Sequence, residues 1–120
     1  MLAKIPWAAL ALLHVMPALA LFRPSSMTSL YGIAADSPLM PLMQHLAALF
    51  LCILVAAVWA MFDPGARRLA VVVIAISMLS FLALYVLAGQ PANLRSIALA
   101  DLLCVPFLIW AAYLAFGAST

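Results

Sequence analysis

Four apolar runs of about 20 residues each, parted by short polar breaks, constrain this chain more than any other feature. They run from Ile5 to Phe22, Leu39 to Phe62, Leu69 to Ala88 and Ser96 to Gly117. An α-helix rises about 1.5 Å per residue, so each run matches the hydrocarbon thickness of a bilayer. A strand of that length has no precedent in a compact domain, which excludes the β reading suggested by Val71-Val72-Val73-Ile74. Charge supports the same conclusion. Only 7% of the residues are charged, five Lys or Arg and three Asp or Glu, where a soluble domain carries about 25%. With 71% apolar residues the chain is neither a water-soluble domain nor a disordered one. The expected fold is an all-α, integral membrane, up-down four-helix bundle, a single membrane domain with helices over about 5–22, 39–62, 69–88 and 96–117.

The breaks carry local signals. Lys4, the first apolar run and Ala18-Leu19-Ala20 resemble a secretory signal with an A-x-A site. We read the run as a first transmembrane helix at the short end of the range. The 23–38 segment, RPSSMTSLYGIAADSP, reads as a loop. Ser25 or Ser26 can cap a short interfacial helix presenting Met27, Leu30 and Tyr31, with Gly32 ending it. Pro41 fits a first helical turn. Asp63-Pro64-Gly65 is a tight turn with Asp63 capping it, and Gly89-Gln90-Pro91 ends the third run. Asn93 or Ser96 is the expected cap of the fourth, which Pro106 should kink. Short connections make the second and third helices antiparallel neighbours, and likewise the third and fourth.

The basic residues are too few and too scattered for nucleic acid. Their expected partner is the bilayer, with Arg23, Tyr31, Trp59, Arg67, Arg68 and Arg95 as interface anchors. Lys4, Arg67 and Arg68 fall on one side and Arg23 and Arg95 on the other. The positive-inside rule then places both termini in the cytoplasm, by a margin of one charge. Asp36 reads as a solvated loop charge, and Cys52 and Cys104 as small buried hydrophobes.

Ionisable groups inside a bilayer are costly and often functional. Counting along the helices, His14 lies about 12 Å below Phe22, His45 about 9 Å from Leu39 and Asp101 about 8 Å from Ser96. All three depths are measured from the face bearing the 23–38 loop. Gln44 sits beside His45, and the third helix brings Tyr85 near that face with Ser80 deeper. The expectation is a polar layer in one half of the bundle, made of His14, Gln44, His45, Ser80, Tyr85 and Asp101, over an apolar other half. Four uses are open to it: an interhelical hydrogen-bond cluster, a pocket for a lipid or quinone, haem between His14 and His45, or a proton relay through His14, His45 and Asp101. No zinc-ligand spacing, nucleophile elbow or phosphate loop is present. The expectation is therefore no catalytic set and no metal or cofactor beyond a possible haem or quinone.

Arg23-Pro24, Met27, Leu30-Tyr31-Gly32, Gln44-His45-Leu46-Ala47-Ala48-Leu49-Phe50, Asp63-Pro64 and Ser80-Phe81 together resemble small four-helix bacterial membrane proteins of the DoxX-like type. Those relatives often have Arg-His-Arg where this chain has Gln44-His45-Leu46, a departure that removes two charges. The resemblance implies a four-helix body in the bacterial cytoplasmic membrane and little about activity. Two function classes remain. One is an accessory or structural subunit docking laterally onto a larger membrane complex, or onto a second copy, aided by small residues such as Ala47-Ala48 and Ala111-Ala112. The other is a binding or redox protein that uses the polar layer.

Overall fold

The computed structural model describes residues 2–23, 25, 28–29, 32–34 and 36–117, the side chain of Asn93 excepted. A 3-10 turn, Leu2–Lys4, leads into α1, Ile5–Leu19. Then come α2, Met40–Phe62, a 3-10 turn at Pro64–Ala66, and α3, Arg67–Leu87. A third 3-10 turn, Ala92–Leu94, precedes α4, Arg95–Ala112, which widens into a π turn at Tyr113–Gly117. No described residue lies in a strand. Four helical stretches are long and apolar enough to cross a membrane: Leu2–Leu19, Met40–Phe62, Pro64–Leu87 and Arg95–Gly117. The chain is a multi-pass membrane protein.

The helix ends follow from local chemistry. Pro6 and Pro41 sit in first turns, where their missing N–H groups have no helical partner to lose. After Leu19 the chain tightens: Leu21 N–H bonds Ala18 O and Phe22 N–H bonds Leu19 O. The stretch 20–22, expected to be helical, is thus a turn of three-residue bonds following Pro17. Asp63 does cap its turn, accepting from Gly65 N–H at 2.9 Å. The next helix therefore starts at Arg67, ahead of the apolar run. At the other end of α3, Gln90 N–H reaches back to Tyr85 O across Gly89, whose φ is 87°. This left-handed step reverses the chain and needs no side chain. The cap of α4 is Leu94, without a side-chain bond, and Ser96 lies inside the helix instead of capping it. α4 stays helical across Pro106. In the 23–38 segment Ser25, Thr28 and Ser29 have helical backbone, and Gly32, with φ 72°, follows them. Met27, Leu30 and Tyr31, on which the expected interfacial face rests, lie outside the described residues.

Each helix packs on its neighbours in sequence, and α4 closes the ring against α1. The pair α1–α2 is the most extensively packed, while the diagonal pairs barely meet. The up-down order expected from the short connections is the one observed. The bundle measures 51 × 29 × 19 Å.

Packing is uneven along the long axis. Most of the core sits toward the Arg67 end: Trp7, Leu10, Ile74 and Met78, closed in by Ala57, Ala60, Ala70 and Ala111. Small residues allow the helices to approach closely, and dispersion rather than hydrophobic exclusion then holds them, because lipid is as apolar as leucine. At the other end the buried apolar cluster among the described residues is Ala20, Met40 and Ala47. The outer surface is apolar all round, with Leu12, Leu42, Leu69, Ile76, Leu103 and Ile109 exposed. In water this surface would be untenable; against acyl chains it costs nothing.

Candidate functional site

The six residues expected to form a polar layer do not join. His14 is buried against the bundle interior, 3% exposed, with its ring 5.9 Å from that of Phe50. Its Nδ1 lies 2.8 Å from Leu10 O, one turn back on the same helix. A carbonyl only accepts, so Nδ1 carries the proton. His45 points the other way: it is exposed on the outer face of α2 and makes no hydrogen bond to a described residue. Gln44 is half-buried. Ser80 is exposed and donates to Ser77 O within α3 at 3.2 Å. Tyr85 is half-buried, its ring stacked on Phe81 at 6.3 Å. Asp101 is buried at 9% exposure, and its carboxyl finds no hydrogen bond or ion pair among the described residues.

Of the six, His14 and Asp101 are buried, Gln44 and Tyr85 half-buried, and His45 and Ser80 exposed, so a shared position along the helices does not bring a shared direction. With His14 inside and His45 outside, the two imidazoles cannot ligate one haem from facing helices, and the residues do not fit that group. Cys52, expected to be buried, is exposed on the lipid side, and Cys104 is half-buried. Among the described residues no group of three His, Cys, Asp or Glu is placed to hold a metal.

The opposite end holds an arrangement that the sequence reading missed. The last carbonyls of a helix have no partner within it. In α2, Trp59 O is taken by the Asp63 N–H at 2.9 Å. The next two are taken by Arg67, whose Nε donates to Ala60 O at 2.8 Å and Nη2 to Met61 O at 3.3 Å. Arg68 reaches across the bundle, Nε donating to Ala115 O in the closing π turn at 3.1 Å. Each cation at this end also lies over a ring: Arg67 over Trp7 at 6.0 Å, Arg68 over Phe116 at 5.5 Å and Lys4 over Phe62 at 4.8 Å. Cation–π attraction of this kind strengthens where water is scarce. The Trp7 indole beneath Arg67 is fully buried, and its Nε1 has no partner among the described residues. Arg67 and Arg68, expected as interface anchors, therefore also tie helix ends together. The available signal was their position directly after a D-P-G turn, which returns them to the end of α2.

The other expected anchors are plainer. Trp59 is exposed, its Nε1 donating to Asp63 Oδ2 at 3.2 Å, and Arg23 and Arg95 are exposed at the far face. Tyr31 lies outside the described residues. Two hollows accompany these groups. One, of about 630 Å³, lies between Ala3, the Pro64–Gly65 turn, Arg67, Arg68 and the Leu114–Ala115 segment. The other is a groove of about 390 Å³ on the outer side of α2 and α3, lined by Cys52, Ala56, Trp59, Leu69 and Val73 among others.

Comparison with protein-family models, with curated proteins and with solved structures gives no match. The DoxX-like resemblance thus rests on the residues quoted for it.

Proposed function

We propose that this protein is an accessory or structural subunit that docks laterally, inside the bilayer, onto a larger membrane complex. The observation that carries this reading is His45. Ionisable side chains within spans almost always face protein or water. His45 stands about five residues into α2, roughly 7–8 Å along the helix, exposed and without a bond to a described residue. A partner that covers it removes that cost. The surface around it has the form a helix needs. His45, Leu49, Cys52, Ala56 and Trp59 recur at spacings of four and three along the outer face of α2, the spacing of a helix-packing seam. The seam runs into the α2–α3 groove, whose small Cys52 and Ala56 permit close approach. The occupant is one transmembrane helix of a partner subunit. In the same reading the protein resides in a bacterial cytoplasmic membrane with both termini in the cytoplasm, as the resemblance and the positive-inside rule imply.

The test is gentle affinity purification of the tagged protein from its native membrane. Recovery with another membrane protein in a fixed ratio is expected. His45→Leu should weaken that recovery about three- to thirtyfold, the range of one interhelical hydrogen bond. A photo-crosslinker at position 45 should trap the partner, and one at Leu103 on α4 should not. Purification as a lone monomer, or unchanged recovery in His45→Leu, overturns the reading.

A second reading is favoured by Asp101. A buried carboxyl without a partner among the described residues is a natural attachment point for a polar ligand group, and a lipid or quinone headgroup between the helices would supply one. Organic extraction of the purified protein, compared with Asp101→Leu, tests it. A compound present in the first and absent from the second supports a binding protein.

A further inference from the structure

The secretory-signal pattern of the first span takes no part in the proposed lateral docking. All its elements are present: the basic Lys4, the apolar stretch 5–16 and the small-residue site Ala18-Leu19-Ala20. Pro17 stands just before that site, and the helix gives way to three-residue bonds beyond it. A leader peptidase cuts such a chain after the second alanine. It works at the outer face of the membrane. It takes the residues before the cut as an extended strand, with the small side chains in shallow pockets. Lys4 and Ala20 lie at opposite ends of α1. With the N-terminus in the cytoplasm, as proposed above, Ala20 stands at the outer face.

The folded chain withholds what the peptidase needs. Ala18 is 1% exposed and Ala20 0%. Ala20 is buried with Met40 and Ala47 of α2, and Leu94 and Ile97 pack against the same cluster from the turn before α4 and from α4 itself. The backbone is not extended, since Ala20 has φ −60° and ψ −21°. Both sides of the Ala20–Leu21 amide are engaged: Ala20 O accepts from Arg23 N–H at 3.3 Å, and Leu21 N–H donates to Ala18 O at 3.2 Å. Because α1–α2 is the most extensively packed pair, freeing the site means parting the helices that hold each other best. Met40, Ala47, Leu94 and Ile97 all follow the site in the chain, so it is open until they are in place.

We infer that Ala18-Leu19-Ala20 is a leader-peptidase site that the finished bundle hides, so that the first span is removed only from chains whose later helices have not closed over it. The step is a hydrolysis. The Ala20–Leu21 amide bond breaks, the hydroxyl of a water joins the Ala20 carbonyl carbon, and the proton of that water goes to the Leu21 nitrogen. The cut takes away α1 with Trp7, Leu10 and His14, so a chain once cut cannot rebuild this interior.

The experiment incubates the purified full chain in mild detergent with purified leader peptidase and follows the product, a chain starting at Leu21, by intact mass. Cutting of a transiently opened state follows its population. Ala47→Trp crowds the Ala20 contact and Met40→Ala empties it, and both leave residues 18–20 unchanged. The initial rate should rise about five- to 150-fold in the first and roughly thirtyfold in the second. Adding Ala20→Leu to Ala47→Trp should abolish the product, because the site requires a small residue there. A wild-type rate equal to that of both variants overturns the inference, since the site would not be hidden. Product from neither variant overturns it as well, since the sequence would not be a substrate. Product that survives Ala20→Leu places the cut elsewhere and has the same consequence. In cells the wild-type chain, tagged at its C-terminus, should keep its full mass, and loss of everything before Leu21 from it would overturn the inference too.

Discussion

The two ends of the bundle are built on different principles. At the Arg67 end, α2 and α3 are joined by four residues, Asp63 to Ala66, and both Asp63 and Arg67 turn back to satisfy the chain around them. The interior there is a dense set of alanines around Trp7, Leu10, Ile74 and Met78. At the loop end, 20 residues join α1 to α2, and among the described residues the buried apolar cluster is Ala20, Met40 and Ala47 and Asp101 has no partner. The first end resembles a finished interior. The second keeps polar capacity that its own helices do not use. Among the described residues the denser packing lies at the Arg67 end, which also holds the arginine-lined hollow and the unpartnered Trp7 Nε1, while the loop end holds Asp101.

Substitutions can break this contrast, beginning with the greatest effect. Trp7→Ala should cost about 3–5 kcal/mol, since the indole is fully buried and its neighbours cannot all collapse into the gap. Met40→Ala at the other end should cost only about 2 kcal/mol, the low end for such truncations. Unfolding in mixed micelles would compare them, and equal losses would erase the distinction between the ends. Arg67→Ala should cost about 2 kcal/mol by releasing two carbonyls at the end of α2. Lysine should not restore it, because an ammonium cannot span both acceptors in the same fork.

Asp101→Leu tests the other half and has the opposite sign. Replacing a buried carboxyl that has no partner among the described residues should stabilise the protein by about 1–2 kcal/mol. A loss instead would show that the loop end satisfies Asp101 after all, and the contrast would fail. Gly89→Ala should have the smallest effect, about 1 kcal/mol of destabilisation, because φ there is 87° and the surrounding space is open. That cost arises from the backbone alone, so it calibrates the assay against a site with no packing change.

The fold was legible in the sequence because hydropathy and length are one-dimensional quantities. Each span is visible as a run, and each turn as a Gly, Pro or Asp cluster. Direction around a helix axis is a different matter. In a soluble helix the apolar stripe reveals which side faces in. Here the residues flanking His14 are apolar on every side and those flanking His45 are apolar apart from Gln44, so no apolar stripe distinguishes an inward imidazole from an outward one. The arginine contacts were hidden for another reason. Arg68 and Ala115 lie 47 residues apart, and no local pattern announces a bond between a helix start and a distant helix end. Asp63, whose partners are within four residues, was read correctly.

The closed ring of helices has a consequence in time. A ribosome delivers α1 and α2 first, and these two share the largest contact in the molecule, so they can pair as a hairpin when α2 emerges. The helix that touches both α1 and α3 is the last of these four to be made. About 55 residues separate the end of α2 from the end of the π turn, which at cellular elongation rates is roughly 3–11 s. Throughout that interval the flanks of α1 and α3 that α4 covers are open to the bilayer. The Arg68 bond to Ala115 O forms when Ala115 arrives. Surveillance of nascent membrane proteins therefore has a window of seconds here, and a chain stalled before α4 would display both of those flanks to the quality-control machinery.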